Sequence, residues 1–256
     1  MTDSRRGEDD GGPGALSPGP PPHLVKAAIA VFGDRLPLAE AYAELLITDG
    51  LVRGLIGPRE APRTWERHLL NCGVLSEMIS LGASVFDVGS GAGLPGIVLA
   101  VARPDLTITL VEPLARRTAF LSEAVTALGL DATVSVVRAR AEDLAGGPPA
   151  AADVVTARAV APLDRLAGWC LPLARIGGRL LAVKGASAQR EVAEYRAAVA
   201  RLGGSDPVVA HCGVGVVESP TTVVAITRER NVGGPRPRSS ARTADAVRSS
   251  RRTRRG

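Results

Sequence analysis

Asp87-Val88-Gly89-Ser90-Gly91-Ala92-Gly93-Leu94-Pro95-Gly96 follows one apolar run and opens another that reaches residue 102. Glycines between a strand and a helix let the backbone turn sharply and approach a ligand with no Cβ in the way. The first N–H groups of a helix have no intrahelical partner, so the loop is expected to offer free N–H groups to whatever binds there. Two cofactor classes compete for it. Gly91-x-Gly93-x-x-Gly96 fits the dinucleotide fingerprint. Asp87-x-Gly89-x-Gly91-x-Gly93 fits an acid ahead of three alternating glycines, the pattern for S-adenosylmethionine (SAM). Charge separates them. A pyrophosphate gains nothing from a neighbouring carboxylate, whereas the sulfonium and amino groups of SAM are complemented by one. Asp87 therefore favours SAM. A dinucleotide, or a glycine turn with no ligand, stays open.

The surroundings of the loop point to an α/β sheet. From residue 83 onward, β-rich runs at 84–88, 107–111, 133–137, 153–156 and 179–183 alternate with helical segments at 94–102, 114–128, 163–174 and 188–202. Connections of that length suit parallel crossovers. The last two β-rich runs, 208–217 and 222–227, are joined only by residues 218–221 and must pair antiparallel. A parallel sheet closed by an antiparallel hairpin is the Rossmann-like sheet of class I SAM-dependent methyltransferases. Glu112, at the end of the second run, is placed to take ribose hydroxyls. Ala141-Glu142-Asp143, after the third, is placed to hold an adenine edge, although acids also suit any helix start.

Residues 23–82 read as an N-terminal helical region. One helix spans 36–55, with Gly57-Pro58 as its stop, and another runs from Pro62 to about residue 81. The methyltransferase domain is expected to cover 83–228. Tails at 1–22 and 229–256, rich in Gly, Pro, Ser and charge, are expected to be disordered. From Arg228 to the end, ten arginines against Glu229 and Asp245 give +8, which leaves −3 on the rest of a chain whose net charge is +5. Such a tail favours a polyanion such as RNA, or merely adds solubility. Aromatics make up 3% of the chain, so stacking platforms for bases are scarce. Cys72, Cys170 and Cys212, and His23, His68 and His211, have neither disulfide nor metal-ligand spacing, so no metal is expected. The apolar runs are too short for a bilayer and the N-terminus lacks an apolar signal region, so a cytoplasmic protein is expected.

Substrate contacts are expected after the fourth β-rich run, at Thr156-Ala157-Arg158-Ala159. The Asp/Asn-Pro-Pro-aromatic box of amino-methylating nucleic-acid enzymes is missing there. Cys170, mid-helix, is a poor candidate for the nucleophile of cytosine C5 chemistry. Arg158 and Lys184 instead put cations at the strand edge where open α/β sheets bind ligands.

Arg67-His68-Leu69-Leu70-Asn71, the Phe86–Gly96 segment, Arg158-Ala159 and Lys184-Gly185 together resemble the RsmG (GidB) family, across about residues 24–228. The resemblance implies a small-subunit rRNA methyltransferase, with a guanine in the decoding-region loop of 16S rRNA methylated at N7. It implies that Gly89 and Leu94 contact SAM, that Ala141 and Glu142 hold the adenine, and that Arg158 lines cofactor and acceptor. It also implies that Arg67, His68, Arg116, Arg117 and Lys184 face RNA. The chain departs from the family pattern at residues 49–57 and at Ala115-Arg116-Arg117, where the family has Gly-Lys-Arg. The cofactor set is thus Asp87, Gly89, Gly91, Gly93, Leu94, Glu112, Ala141, Glu142 and Arg158, in an expected monomer. No catalytic acid or base is expected, since guanine N7 has a free lone pair; Arg158 is the candidate for positioning. The alternatives are a class I enzyme acting on a small molecule or protein, and a non-catalytic SAM- or nucleotide-binding RNA chaperone.

Overall fold

The computed structural model describes residues 17–145, 151–158 and 161–232. Seven strands form one sheet: β1 (Ser84–Val88), β2 (Thr107–Val111), β3 (Val134–Val137), β4 (Ala152–Arg158), β5 (Ala174–Lys184), β6 (Val208–Cys212) and β7 (Thr221–Thr227). Their order is β3-β2-β1-β4-β5-β7-β6. The first five pair parallel, and β7 runs antiparallel to both β5 and β6. The expected architecture is the one found. The order reverses between β1 and β4, so a crevice opens there at the carboxyl ends of the strands.

Alternation along the strands supplies both faces of the sheet. Val85, Ile108 and Leu110 pack under α4 (Gly96–Ala102) and α5 (Ala115–Ala127). Phe86, Val88, Val155 and Leu180 pack against α6 (Ala141–Leu144), α7 (Leu163–Cys170) and α8 (Ala188–Arg201). The N-terminal region extends the first layer. Helices α1 (Val25–Phe32) and α2 (Leu36–Leu45) pack on α4, and the Arg35 side chain donates to the Val101 carbonyl at 2.6 Å.

Several boundaries differ from the sequence reading, each for a local reason. The helix expected over 36–55 leaves α geometry after Leu45, widens into a π turn at Leu46–Gly50, and ends at Gly54, whose φ of 65° breaks it before Gly57-Pro58. The segment expected as one helix from Pro62 is a 3₁₀ turn, a π stretch (Thr64–Leu70), a short α3 (Asn71–Gly73) and a second 3₁₀ turn. The helix expected to reach 174 stops at Cys170, because Pro172 cannot donate to it, and Ala174 already opens β5. Strand β6 ends at Cys212, where Gly213 (φ 78°) turns the chain, so the hairpin link is longer than expected.

Most of both tails lies outside the described residues. At the described ends, the Pro18 carbonyl accepts from Trp65 Nε1, and the N–H groups of Glu229 and Arg230 both bond to the Gly203 carbonyl. Among the described residues, no helix is long and apolar enough to cross a membrane.

Candidate active site

The glycine loop joins β1 to α4 at the crevice. Six of its N–H groups are already spent, which corrects the expectation from the sequence. Gly89 and Ser90 donate to the Val111 carbonyl at 2.8 and 3.2 Å, and Gly93 and Leu94 to the Ser90 carbonyl. Gly91 donates to Glu112 Oε2 and Gly96 to Asp87 Oδ2, each at 3.0 Å. A pyrophosphate needs several unspent amides, so this loop suits a ligand that reads shape and carboxylates. Gly93 is required by packing as well as by its φ of 95°, since a Cβ there would lie 2.5 Å from Ile97 Cδ1 and 2.9 Å from Tyr42 Oη.

Asp87 is fully buried on the α4 side of β1. Its Oδ2 receives the Gly96 amide and its Oδ1 the Thr156 hydroxyl at 3.2 Å. Burial pushes its carboxyl up to about 6, against the opposing pull of those hydrogen bonds and of Arg158. The residue holds the start of α4 and keeps a negative charge beneath the loop. Glu112 is also buried, and its two oxygens accept from Gly91 N–H and Leu114 N–H at 3.0 Å. A carboxylate oxygen has two lone pairs, so each still has one for a hydroxyl.

A cavity of about 330 Å³ opens beside these groups. Gly89, Glu112, Arg117, Ala141, Glu142 and Trp169 line it. Four of them were singled out from sequence for the cofactor. Arg117, expected at RNA, lines this cavity instead, with Nη1 3.8 Å from Glu112 Oε2. Trp169 was missed, because nothing in its own helix distinguishes a cavity wall from an ordinary half-buried aromatic. Tyr42 was missed too. Its hydroxyl reaches from α2 to the Ala92 carbonyl at 2.6 Å and pins the loop from the N-terminal region.

Across the switch point, a larger cleft of about 950 Å³ runs along the ends of β4 and β5. Arg67, His68, Arg158 and Lys184 all line it, so the structure brings together most of the residues expected at the substrate. Arg158, at the end of β4, donates from Nη1 to the Arg67 carbonyl at 3.3 Å and to Cys72 Sγ at 3.2 Å. Its Nη2 lies 2.8 Å from His68 Nδ1. Arg67 pairs with Glu60 at 3.2 Å. Arg116 is exposed on α5, away from the residues lining the cleft. His68 is buried, and burial, helped by Arg158, lowers its pKa to about 4.

Lys184 is not a loose surface cation. Its Nζ donates to the Ala161 carbonyl and to Glu191 Oε2, both at 2.7 Å, with the two side chains 7% and 14% exposed. Removing one partner of a buried pair strands the other charge. Lys184→Met is therefore expected to cost about 3 kcal/mol in a urea melt, and adding Glu191→Leu should recover most of that. A single variant as stable as the wild type would contradict the pairing.

All three cysteines are buried, and burial raises their thiols. Among the described residues, no group of three or more His, Cys, Asp or Glu could hold a metal ion.

The family model of rRNA small subunit methyltransferase G (GidB) matches residues 35–218. The ribosomal RNA small subunit methyltransferase G of Salinispora tropica is 68% identical over 235 residues, covering 90% of this chain and 97% of the relative. That of Streptomyces coelicolor is 54% identical over 234 residues, covering 91% and 96%. Among solved structures, the mitomycin 7-O-methyltransferase MmcR superposes with a TM-score of 0.53 at 18% identity, over 80% of this chain and 66% of that one, a likeness of fold alone.

Proposed function

The chain belongs to the GidB family, the rRNA small subunit methyltransferases G, and from that premise we propose that it takes its methyl group from SAM and delivers it to N7 of a guanine in 16S rRNA. One observation carries the choice of cofactor. Six N–H groups of the glycine loop are already spent inside the protein, while two buried carboxylates, Asp87 and Glu112, stand beside it. That chemistry fits a cationic sulfonium nucleoside and repels a pyrophosphate.

SAM supplies an electrophilic methyl group bonded to a positively charged sulfur. The protein's own residues do the rest. Glu112 would receive the ribose hydroxyls, Ala141 and Glu142 would meet the adenine, and Asp87, buried beneath the loop, would act on the methionine end through its charge and not by contact. Arg67 meets RNA phosphate at the cleft mouth. Guanine N7 has an in-plane lone pair and no proton to lose, so the protein's task is alignment and exclusion of water. Proximity and orientation can supply roughly 7–11 kcal/mol of such a barrier. Calorimetry should detect SAM and S-adenosylhomocysteine, with no NAD binding. NAD binding without SAM binding would overturn the assignment.

The pH dependence follows from two buried groups. His68, lowered to about 4, is neutral throughout the neutral range and contributes no inflection there. Asp87, raised to about 6, takes up a proton as pH falls through that value. SAM affinity is therefore expected to hold above pH 6 and weaken below it, and the inflection should persist in His68→Asn. For stability the two act oppositely. A raised carboxyl binds its proton more readily folded than unfolded, so acidification relieves a cost, whereas a lowered imidazole imposes one over the same window. A titration with an inflection near 6.5 that vanishes in His68→Asn would contradict this division.

A further inference from the structure

The buried imidazole of His68 has one nitrogen accounted for and one not. Arg158 can only donate, so Nδ1, 2.8 Å from its Nη2, must accept. In a neutral ring that leaves the proton on Nε2. Nε2 is buried and has no hydrogen-bond partner among the described residues. Glu60 Oε2 is nearest in charge, but at 3.7 Å it is beyond hydrogen-bond reach and its carboxylate already serves Arg67. A buried donor left unmet is costly, so a ligand acceptor that reaches it gains a bond the protein does not supply. The residue itself lines the large cleft next to Arg158, where the acceptor is expected.

Resting on the guanine-N7 reading above, we propose that His68 Nε2–H donates a hydrogen bond to O6 of the acceptor guanine and thereby separates guanine from adenine. The major-groove edge of guanine carries two acceptors, N7 and O6, whereas adenine has an amino donor in place of O6. A donor on N7 would occupy the nucleophile's lone pair, so the bond goes to O6, next to it. With adenine, two donors would face each other. A phosphate would be met by an exposed cation such as Arg67; a neutral N–H inside a cleft suits a neutral carbonyl. Arg158, spent on Arg67, Cys72 and His68, acts as the positioning residue that fixes the tautomer.

Small subunits reconstituted with rRNA carrying guanine or 2-aminopurine at the methylated position test this, because 2-aminopurine keeps N7 and lacks O6. His68→Asn leaves an amide oxygen for Arg158 and removes the distal donor. Its kcat/KM on guanine should fall about 10- to 100-fold, the cost of one lost base contact, while its rate on 2-aminopurine and its SAM affinity stay within about twofold. Comparing the guanine/2-aminopurine ratio between the two proteins cancels the intrinsic difference in N7 reactivity. His68→Gln, with an amide N–H near the Nε2 position, should retain most of the preference, and it decides alone if His68→Asn does not fold. An equal loss on both bases, or no loss on guanine, or a His68→Gln variant without preference, would overturn the proposal. Mass spectrometry of the wild-type product separates this from failure of the parent reading. A product other than 7-methylguanine sinks both, whereas 7-methylguanine with an unchanged base ratio sinks only the role of His68.

Discussion

Gly91→Val is expected to weaken SAM binding at least about a hundredfold, or about 2.7 kcal/mol, in a protein that still folds. Gly91 sits at φ 59°, and a Cβ built there meets only the Gly89 carbonyl, at 3.8 Å. The added side chain therefore meets little of the protein, while the Gly91 amide itself donates to Glu112, the proposed ribose contact. A branched residue at positive φ costs about 1–3 kcal/mol, which a domain of ordinary stability, about 5–15 kcal/mol, survives. Gly93→Val makes the contrast. Its side chain would run into Ile97 and Tyr42, so melting temperature should fall sharply along with binding. Calorimetry and thermal melts of both variants decide. Gly91→Val binding SAM like the wild type would remove the loop from the site, and a Gly91→Val that does not fold would show that its role is packing.

Arg158→Met carries the second large effect. The substitution keeps the apolar stem and removes the donors to His68 Nδ1, Cys72 Sγ and the Arg67 carbonyl. These partners join the N-terminal region to the end of β4, so the loss is both local and organisational. At about 1–3 kcal/mol for an acceptor left unmet in a buried setting, stability should fall by about 3 kcal/mol. Methylation should fall about 10- to 100-fold, as for loss of the His68 contact itself, because the ring loses its fixed tautomer and orientation. SAM affinity should change far less, since Arg158 does not line the smaller cavity. Arg158→Lys should not rescue, because one ammonium cannot span three partners in the plane of the guanidinium fork. Methylation by Arg158→Met within about threefold of the wild type would contradict the positioning role.

The sheet was legible because its strands carry a strong local signal. Runs such as 84–88 and 107–111 are apolar, short and bounded by turn residues, and the hairpin's short link left only antiparallel pairing. The N-terminal region was legible only as helical. The π stretch at Thr64–Leu70 packs on α1 and α2, and the π turn at Leu46–Gly50 continues α2; no residue pattern marks either one. For the site, residue types were readable and their orientations were not. Asp87 reads as a ligand-facing acid, yet it holds Gly96 and Thr156 inside the protein. Arg117 reads as one of two adjacent surface cations, but the helical turn puts it beside Glu112 and leaves Arg116 exposed. Lys184 is neutralised by Glu191, a partner that follows it by seven residues on a different element. No spacing rule pairs a strand end with the following helix. The arginine-rich tail was readable only as charge, and most of it lies outside the described residues.

The central claim is a methyl group moved from SAM to one guanine N7 of small-subunit rRNA. Its most direct test incubates the purified full-length chain with isotopically labelled SAM and small subunits from cells lacking this activity. The rRNA is then digested and read by mass spectrometry. The account predicts one labelled 7-methylguanosine per 16S rRNA, in the decoding-region loop. Label in another atom or base, in ribosomal protein, or nowhere in the subunit while SAM still binds would contradict it.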